Sequence, residues 1–161
     1  MPSFAATLAG HGLELLRDTP TILQINVGKL CNLTCSHCHV DAGPRRTEIM
    51  TRDTIDRIVD WLASTQIPTV DITGGAPEMI PDFRYLIDRL RKIQPQRHII
   101  DRCNLTILLA PEHDGLAAYL AEQRVEIIAS MPCYTVKNVS AQRGEGVFDD
   151  SIKALKLLNK L

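Results

Sequence analysis

The chain switches repeatedly between short apolar runs that alternate like strands and longer stretches that place apolar residues at helical spacing. Thr21–Val27 alternates apolar with polar or small residues, which predicts a strand. Thr51–Ala63 has one apolar face and acidic residues near its start, which predicts an amphipathic helix. Further strands are predicted at Pro68–Ile72, His98–Asp101 and Val125–Ala129, and further helices at Pro81–Ile93, His113–Gln123 and Val147–Leu161.

Three other segments have weaker patterns. Leu8–Leu16 is interpreted as a short apolar patch with helical spacing, and Leu105–Leu109 as an extended segment. Lys137–Gly146 is polar and contains glycine, which predicts a mobile loop.

Alternating strands and amphipathic helices are typical of a parallel sheet built from strand–helix–strand units, of which about four are present. Right-handed crossovers place the carboxyl ends of all strands at one edge, where such sheets bind ligands. We therefore expect a functional site at this edge. The chemically unusual residues that follow the strands are Cys31, Cys35, Cys38, Gly74, Gly75, Glu78, Arg102, Cys103, Asn104, Ser130 and Cys133.

The composition, with 161 residues and 45% hydrophobic residues, fits a single globular domain. The 18 Lys and Arg residues nearly balance 19 Asp and Glu residues, so bulk charge favours neither a nucleic-acid nor an anionic-membrane partner. The N-terminus lacks the basic region of a signal peptide and no run of about 18 apolar residues occurs, so we expect a cytoplasmic location.

Three of the five cysteines form a C-x3-C-x2-C motif made of Cys31, Cys35 and Cys38. Soft thiolates select zinc or iron–sulfur centres, and three cysteines suit a cubane cluster that keeps one iron without a protein ligand. Structural zinc, with His37 or His39 as a fourth ligand, is the main alternative. A disulfide is disfavoured in a reducing compartment and would leave one thiol over.

The segment CNLTCSHC resembles the motif of the radical S-adenosylmethionine superfamily. The resemblance implies that Cys31, Cys35 and Cys38 bind a [4Fe-4S] cluster, whose fourth iron takes S-adenosylmethionine, and that His37 approaches the adenine. It also implies that the reduced cluster cleaves a carbon–sulfur bond to give a 5'-deoxyadenosyl radical. An electron donor such as flavodoxin or ferredoxin is then expected as a partner.

Other segments that follow strands resemble the same superfamily. The segment TGGAPE is similar to the Gly-Gly-Glu segment that receives the cofactor's amino group, which implies cofactor-binding roles for Gly74, Gly75 and Glu78. Ala76 stands at the position of the superfamily's Glu, and an ordinary turn is the alternative interpretation. Asn104 and Ser130 match positions that contact the methionine or ribose part of the cofactor. In the alternative interpretation, Asn104 is an ordinary turn residue, and Ser130 is a filler residue without a functional role.

The segments DITGGAPE, RCNLT, SMPCY and QRGEGVFDDSI resemble one branch in particular, the arsenosugar-biosynthesis radical S-adenosylmethionine proteins. This resemblance implies transfer of a deoxyadenosyl group to a methylated trivalent arsenical. Trivalent arsenic binds thiols, so a thiol of Cys133, and less so of Cys103, could hold the substrate beside the cofactor. In the alternative interpretation, Cys103 is a small buried hydrophobe and Cys133 is an incidental loop thiol.

The superfamily's core usually contains six strand–helix units in a partial barrel. Four units predict that residues 1–161 are the N-terminal part of such a core, truncated before its C-terminal units. Three further functions remain open at this point: a peptide-modifying radical enzyme, a non-catalytic zinc-binding domain, and an inactive fragment of the enzyme.

Overall fold

The computed structural model describes residues 2–161, which contain one parallel sheet. Its strands, side by side in chain order, are β1 (Ile22–Asn26), β2 (Thr69–Thr73), β3 (His98–Asp101) and β4 (Glu126–Ile127). Every neighbouring pair is parallel, and Ile25 of β1 lies opposite Ile72 of β2. The predicted fold class, an α/β partial barrel with about four strand–helix units, is confirmed.

Helices precede, connect and follow the strands. They are α1 (Phe4–Gly10), α2 (Arg52–Ala63), α3 (Phe83–Ile93), α4 (Leu116–Glu122), α5 (Val136–Arg143) and α6 (Val147–Leu158). Of these, α2, α3 and α4 lie between consecutive strands. Because consecutive strands are parallel neighbours, each connection crosses back along the sheet, and all four carboxyl ends meet at one edge. Among residues 2–161, no helix is both long and apolar enough to span a membrane.

The core packs the sheet against α2 and α3. Thr51 caps α2 through its hydroxyl, which accepts a hydrogen bond from the backbone N–H of Thr54, and Asp53 lies in the first turn, where the helix dipole favours a negative charge. Each fully buried aliphatic side chain contributes about 1.5–3 kcal/mol to stability. The fully buried side chains of these elements include Ile55, Val59, Leu62, Val70, Ile72, Leu86, Ile87, Leu90 and Ile99.

The prediction of a mobile loop over Lys137–Gly146 is wrong. The segment contains α5 over Val136–Arg143, and a left-handed Gly146 then precedes α6. The helix buries only Val139 and Arg143, so its sequence lacks the apolar stripe that predicts a helix.

Two smaller predictions also differ from the structure. Thr106–Leu109 forms a 3-10 helix rather than an extended segment, because the side chain of Asn104 accepts a hydrogen bond from the backbone N–H of Ile107 and closes the turn. The first helix covers Phe4–Gly10 instead of Leu8–Leu16, because the side chain of Ser3 caps it.

Candidate cofactor site at the strand ends

A cavity of about 410 Å³ lies at the carboxyl ends of the strands. Loops after all four strands line it, together with the last residue of α5. The structure brings eight of the ten predicted site residues to this cavity, namely Cys31, Cys35, His37, Cys38, Gly74, Gly75, Asn104 and Ser130.

The cysteine loop is held by backbone hydrogen bonds, some of which point at the thiols. The backbone N–H of Cys31 donates to the carbonyl of Gly43 over 3.2 Å. Leu33 N–H donates to the Sγ of Cys31 at 3.5 Å, and Ala42 N–H donates to the Sγ of Cys38 at 3.3 Å. Because N–H donors stabilise a thiolate over a thiol, this loop suits cysteines that bind metal.

The separation of the thiols distinguishes an iron–sulfur cluster from a single zinc ion. Ligands of a tetrahedral zinc ion with bonds of about 2.3 Å lie only ~3.8 Å apart. In the part of the chain that the structure describes, no three of the loop's cysteine and histidine ligand atoms all lie within 4.8 Å of one another. A cubane cluster binds each thiolate on a separate iron and spaces the thiolates more widely. Among the described residues the loop therefore forms no compact zinc site with His37 or His39, and its three thiols on one cavity are compatible with a [4Fe-4S] cluster.

Burial raises the pKa of the Cys31 thiol, and it also raises the pKa of the Cys35 thiol. The positive charge of Arg143 works in the opposite direction on Cys35, whereas neighbouring thiolates at Cys31 and Cys38 raise its pKa further. Three negative charges in this loop are therefore unfavourable on their own, and a positive metal centre among them would remove that cost.

Gly74 and Gly75 bring the turn after β2 against the segment that leads into the cysteine loop. Gly75 N–H donates to the carbonyl of Gly28 at 2.9 Å, and Ala76 N–H donates to the carbonyl of Leu30 at 2.8 Å. A Cβ atom on Gly75 would overlap the carbonyl oxygen of Leu30, and one on Gly74 would lie 2.8 Å from that of Gly28. Glycine is therefore required here to align the cysteine loop, and both glycines also line the cavity.

Asn104 is buried at the end of β3, and its side chain reaches the cysteine loop. Its Nδ2 donates to the Oδ1 of Asn32 at 2.7 Å and lies 3.6 Å from the Sγ of Cys31. Its Oδ1 accepts hydrogen bonds from the hydroxyl of Thr106 and the backbone N–H of Ile107. Since the protein engages both ends of this amide, the structure supports a positioning role, and direct contact with a cofactor stays a prediction.

Arg143, at the end of α5, is a site residue that sequence reasoning missed. Its guanidinium donates to the carbonyl and the hydroxyl of Ser130, and its buried Nε has no hydrogen-bond partner among the described residues. The backbone N–H of Ser36 donates to the carbonyl of Gln142 at 2.9 Å, so the end of this helix contacts the cysteine loop. Arg143 thus adds a positive charge to the cavity, and no periodic pattern in the sequence marks the helix that carries it.

Two predicted site residues, Glu78 and Cys133, do not line the cavity. Glu78 is fully buried and lies beside Asp101 and Cys103. Cys103 is buried in the core, as its interpretation as a buried hydrophobe predicts. The thiol of Cys133 is partly exposed, and a 3.3 Å hydrogen bond from the Nδ2 of Asn138 lowers its pKa to about 7. The cofactor role of Glu78 and the substrate role of Cys133 stay predictions.

Comparison with protein families assigns this fold and site to a known superfamily. The Radical SAM superfamily model matches residues 25–161. The chain therefore belongs to the radical SAM superfamily, whose members use a [4Fe-4S] cluster and S-adenosylmethionine.

Similar curated proteins include mycofactocin maturase MftC of Mycobacterium tuberculosis, which is 33% identical over 143 residues. That match covers 88% of this chain and 35% of MftC. A probable GTP 3',8-cyclase of Pyrococcus horikoshii is 26% identical over 147 residues, covering 88% of this chain and 44% of the cyclase.

Solved structures share the fold. SuiB of Streptococcus suis bound to S-adenosylmethionine matches with a TM-score of 0.72 at 20% identity, over 96% of this chain and 34% of SuiB. The structure of anSMEcpe with bound AdoMet matches with a TM-score of 0.68 at 20% identity, over 88% of this chain and 41% of that chain. The chain thus spans about a third of the length of MftC and of SuiB.

Proposed function

We propose that Cys31, Cys35 and Cys38 bind a [4Fe-4S] cluster and that S-adenosylmethionine occupies the cavity beside it. The observation that carries this proposal is the placement of the three thiols of the C-x3-C-x2-C motif on one cavity, with backbone N–H groups donating to two of them. Membership of the radical SAM superfamily supports the same cofactors. We infer that the whole protein is an enzyme of this class.

The cavity offers suitable groups for each part of the cofactor. The exposed ring and backbone of His37 are available to the adenine, and the turn at Gly74 and Gly75 is available to the methionine amino group. The guanidinium of Arg143, paired with Ser130, supplies positive charge for a carboxylate. Asn104 holds the cysteine loop in place through Asn32.

When bound and reduced, the cluster and cofactor supply a 5'-deoxyadenosyl radical through cleavage of a carbon–sulfur bond. The residues of this chain orient the cofactor and enclose it at the strand ends. An electron donor such as flavodoxin or ferredoxin would provide the electron.

For the substrate, we propose a methylated trivalent arsenical that receives the deoxyadenosyl group, with methionine as the leaving product and one electron returned from arsenic to the oxidised cluster. The thiol of Cys133 supports this assignment, because it is partly exposed, follows β4, and has a pKa lowered to about 7 by the hydrogen bond from Asn138. Since trivalent arsenic binds thiolates, Cys133 would hold the substrate at the edge of the sheet that carries the cofactor cavity.

Modification of a peptide is the second candidate function. It is favoured by the 33% identity to the maturase MftC, and SuiB, whose fold this chain shares, has also been solved bound to the precursor peptide SuiA.

The test begins with anaerobic reconstitution of the protein with iron and sulfide. S-adenosylmethionine, a chemical reductant and a methylated trivalent arsenical are then added, and products are analysed by mass spectrometry. We expect 5'-deoxyadenosyl transfer to arsenic, loss of all products in Cys35→Ser, and loss of the arsenic adduct alone in Cys133→Ser.

The possible outcomes test the proposed substrate and the proposed class of chemistry separately. Release of 5'-deoxyadenosine without an arsenic adduct would contradict the arsenical substrate and leave peptide modification as the better candidate. If the reconstituted protein neither binds iron nor cleaves S-adenosylmethionine, the proposed class of chemistry is wrong.

A further inference from the structure

Two carboxylates and a thiol meet inside the core, apart from the cofactor cavity. Glu78 follows β2, Asp101 ends β3, and Cys103 lies two residues further on. Their exposed fractions are 4%, 0% and 0%, and one ligand atom from each lies within 4.8 Å of the other two. We refer to these three residues as the buried triad.

The carboxylates of the buried triad lack partners. In the described residues, none of the four carboxylate oxygens of Glu78 and Asp101 has a hydrogen-bond partner. Asp71 provides a contrast, because this equally buried acid accepts hydrogen bonds from Arg102 and Gln24. A buried ionised carboxylate without a donor or a cation is costly, so the triad must either share protons among its own members or bind a compensating cation.

Without such a group the triad is neutralised by protons. Burial raises the pKa of Glu78 and raises that of Asp101 well above its usual range, and the proximity of the two acids adds to the effect on Asp101. Burial and the two nearby acids also raise the pKa of the Cys103 thiol. A divalent cation would reverse these effects, because it favours the ionised form of every ligand.

A second cavity lies next to the triad. A cavity of about 230 Å³, separate from the cofactor cavity, is lined by Glu78 and His113 among other residues. The carboxylate oxygens of Glu78 are themselves buried, so this cavity lies beside the triad without reaching it.

We propose that Glu78, Asp101 and Cys103 bind a structural divalent cation, with zinc as the best match. One thiolate and two carboxylates are ligand types that zinc accepts, and a water molecule would complete four-coordination. Binding displaces the protons of the thiol and of any protonated carboxyl to solvent, and it leaves the site with one net negative charge in place of three unpaired ones. The ion would tie the end of β2 to the end of β3.

Cobalt titration tests the proposal independently of the cofactor site. The protein carries Cys31→Ser, Cys35→Ser and Cys38→Ser, so the loop thiols cannot contribute, and it is freed of metal under anaerobic reducing conditions. We expect one cobalt ion per chain with thiolate-to-cobalt charge-transfer absorption. This absorption should disappear in Cys103→Ser and persist in the matched control Cys133→Ser.

A second measurement uses the cluster-loaded wild-type protein, in which iron occupies the loop cysteines. Elemental analysis should find one zinc ion per chain in addition to iron, and Glu78→Gln or Asp101→Asn should lose zinc but keep iron. At a zinc concentration about 100-fold above the dissociation constant, the melting temperature should rise by about 5–10 °C.

Absence of charge-transfer absorption in the cobalt titration would overturn the proposal. Absorption that depends on Cys133 would do the same. Retention of zinc by the Glu78→Gln or Asp101→Asn protein would also overturn the proposal. The zinc would then be bound elsewhere, and the buried acids would be balanced by shared protons alone. None of these results depends on cleavage of S-adenosylmethionine, so failure here is distinguishable from failure of the proposed function.

Discussion

Asn104 illustrates how single residues connect the sheet to the cysteine loop. Its amide joins Asn32 and Cys31 on one side to Thr106 and Ile107 on the other. The sequence placed this residue after β3 and so near the site, because the carboxyl ends of parallel strands share one edge. It could not show that the amide contacts Asn32 and Cys31, since these two residues lie more than 70 residues away in the chain.

Replacing Asn104 with Ala should destabilise the metal-free protein by about 1–3 kcal/mol, because it leaves the buried partners of the amide without hydrogen bonds. The replacement should also lower the amount of iron retained after reconstitution. Chemical denaturation and iron analysis measure the two effects. Asn159→Ala, at an exposed position, is the control and should change stability by less than about 0.5 kcal/mol. Equal stability of the two variants would show that the Asn104 contacts contribute little.

Cys133 should react with alkylating reagents at lower pH than an ordinary cysteine. With a pKa of about 7 its thiol is roughly half ionised at neutral pH, whereas a thiol at the usual value of 9.0 is about 1% ionised. Asn138→Ala removes the hydrogen bond that is the main cause of the lowered pKa, so alkylation at neutral pH should slow by about tenfold or more. Peptide mapping by mass spectrometry across a pH series identifies the site. An inflection near 9 in the wild-type protein would contradict this account.

At the scale of elements, the regular strands and the strongly amphipathic helices were predictable. α2 and α3 carry buried apolar stripes, and the strands alternate with them in the chain. α5 was missed because it buries only Val139 and Arg143, so its sequence has no apolar stripe. The run after Asn104 was misassigned because periodicity in four or five apolar residues cannot distinguish a strand from a helical turn.

The turn after β2 gives a test of how elements fit together. A methyl group at Gly75 would overlap the backbone of Leu30, which cannot move without displacing the cysteine loop. We expect Gly75→Ala to destabilise the protein by about 1–3 kcal/mol and to reduce cluster retention.

The matched control for this prediction is Gly10→Ala at the end of α1, where an added Cβ meets nothing within 4 Å. It should be neutral or slightly stabilising, since Ala has the higher helix propensity. Thermal unfolding and iron content measure both variants. A Gly75→Ala protein that matches the Gly10→Ala protein in both respects would mean that the close approach of the two loops is not needed.

At the scale of the whole molecule, four parallel strands in chain order bring distant segments to one cavity. This arrangement explains why the position of the site was predictable from topology alone. Which buried acids find partners was not predictable: Asp71 is paired with Arg102, whereas the carboxylates of Glu78 and Asp101 have no hydrogen-bond partner among the described residues. Alternation along a strand predicts on which face of the sheet each side chain lies. It does not show which hydrogen-bond or ion-pair partner each polar side chain has.

We propose that three thiolates hold an iron–sulfur cube whose remaining iron binds S-adenosylmethionine. The most direct measurement is Mössbauer spectroscopy of protein reconstituted anaerobically with iron-57, recorded with and without S-adenosylmethionine. We predict the spectrum of a [4Fe-4S] cluster in which one iron site, and not the other three, changes when S-adenosylmethionine is added. A protein that retains zinc in place of iron, or a cluster whose spectrum does not respond to S-adenosylmethionine, would contradict the claim.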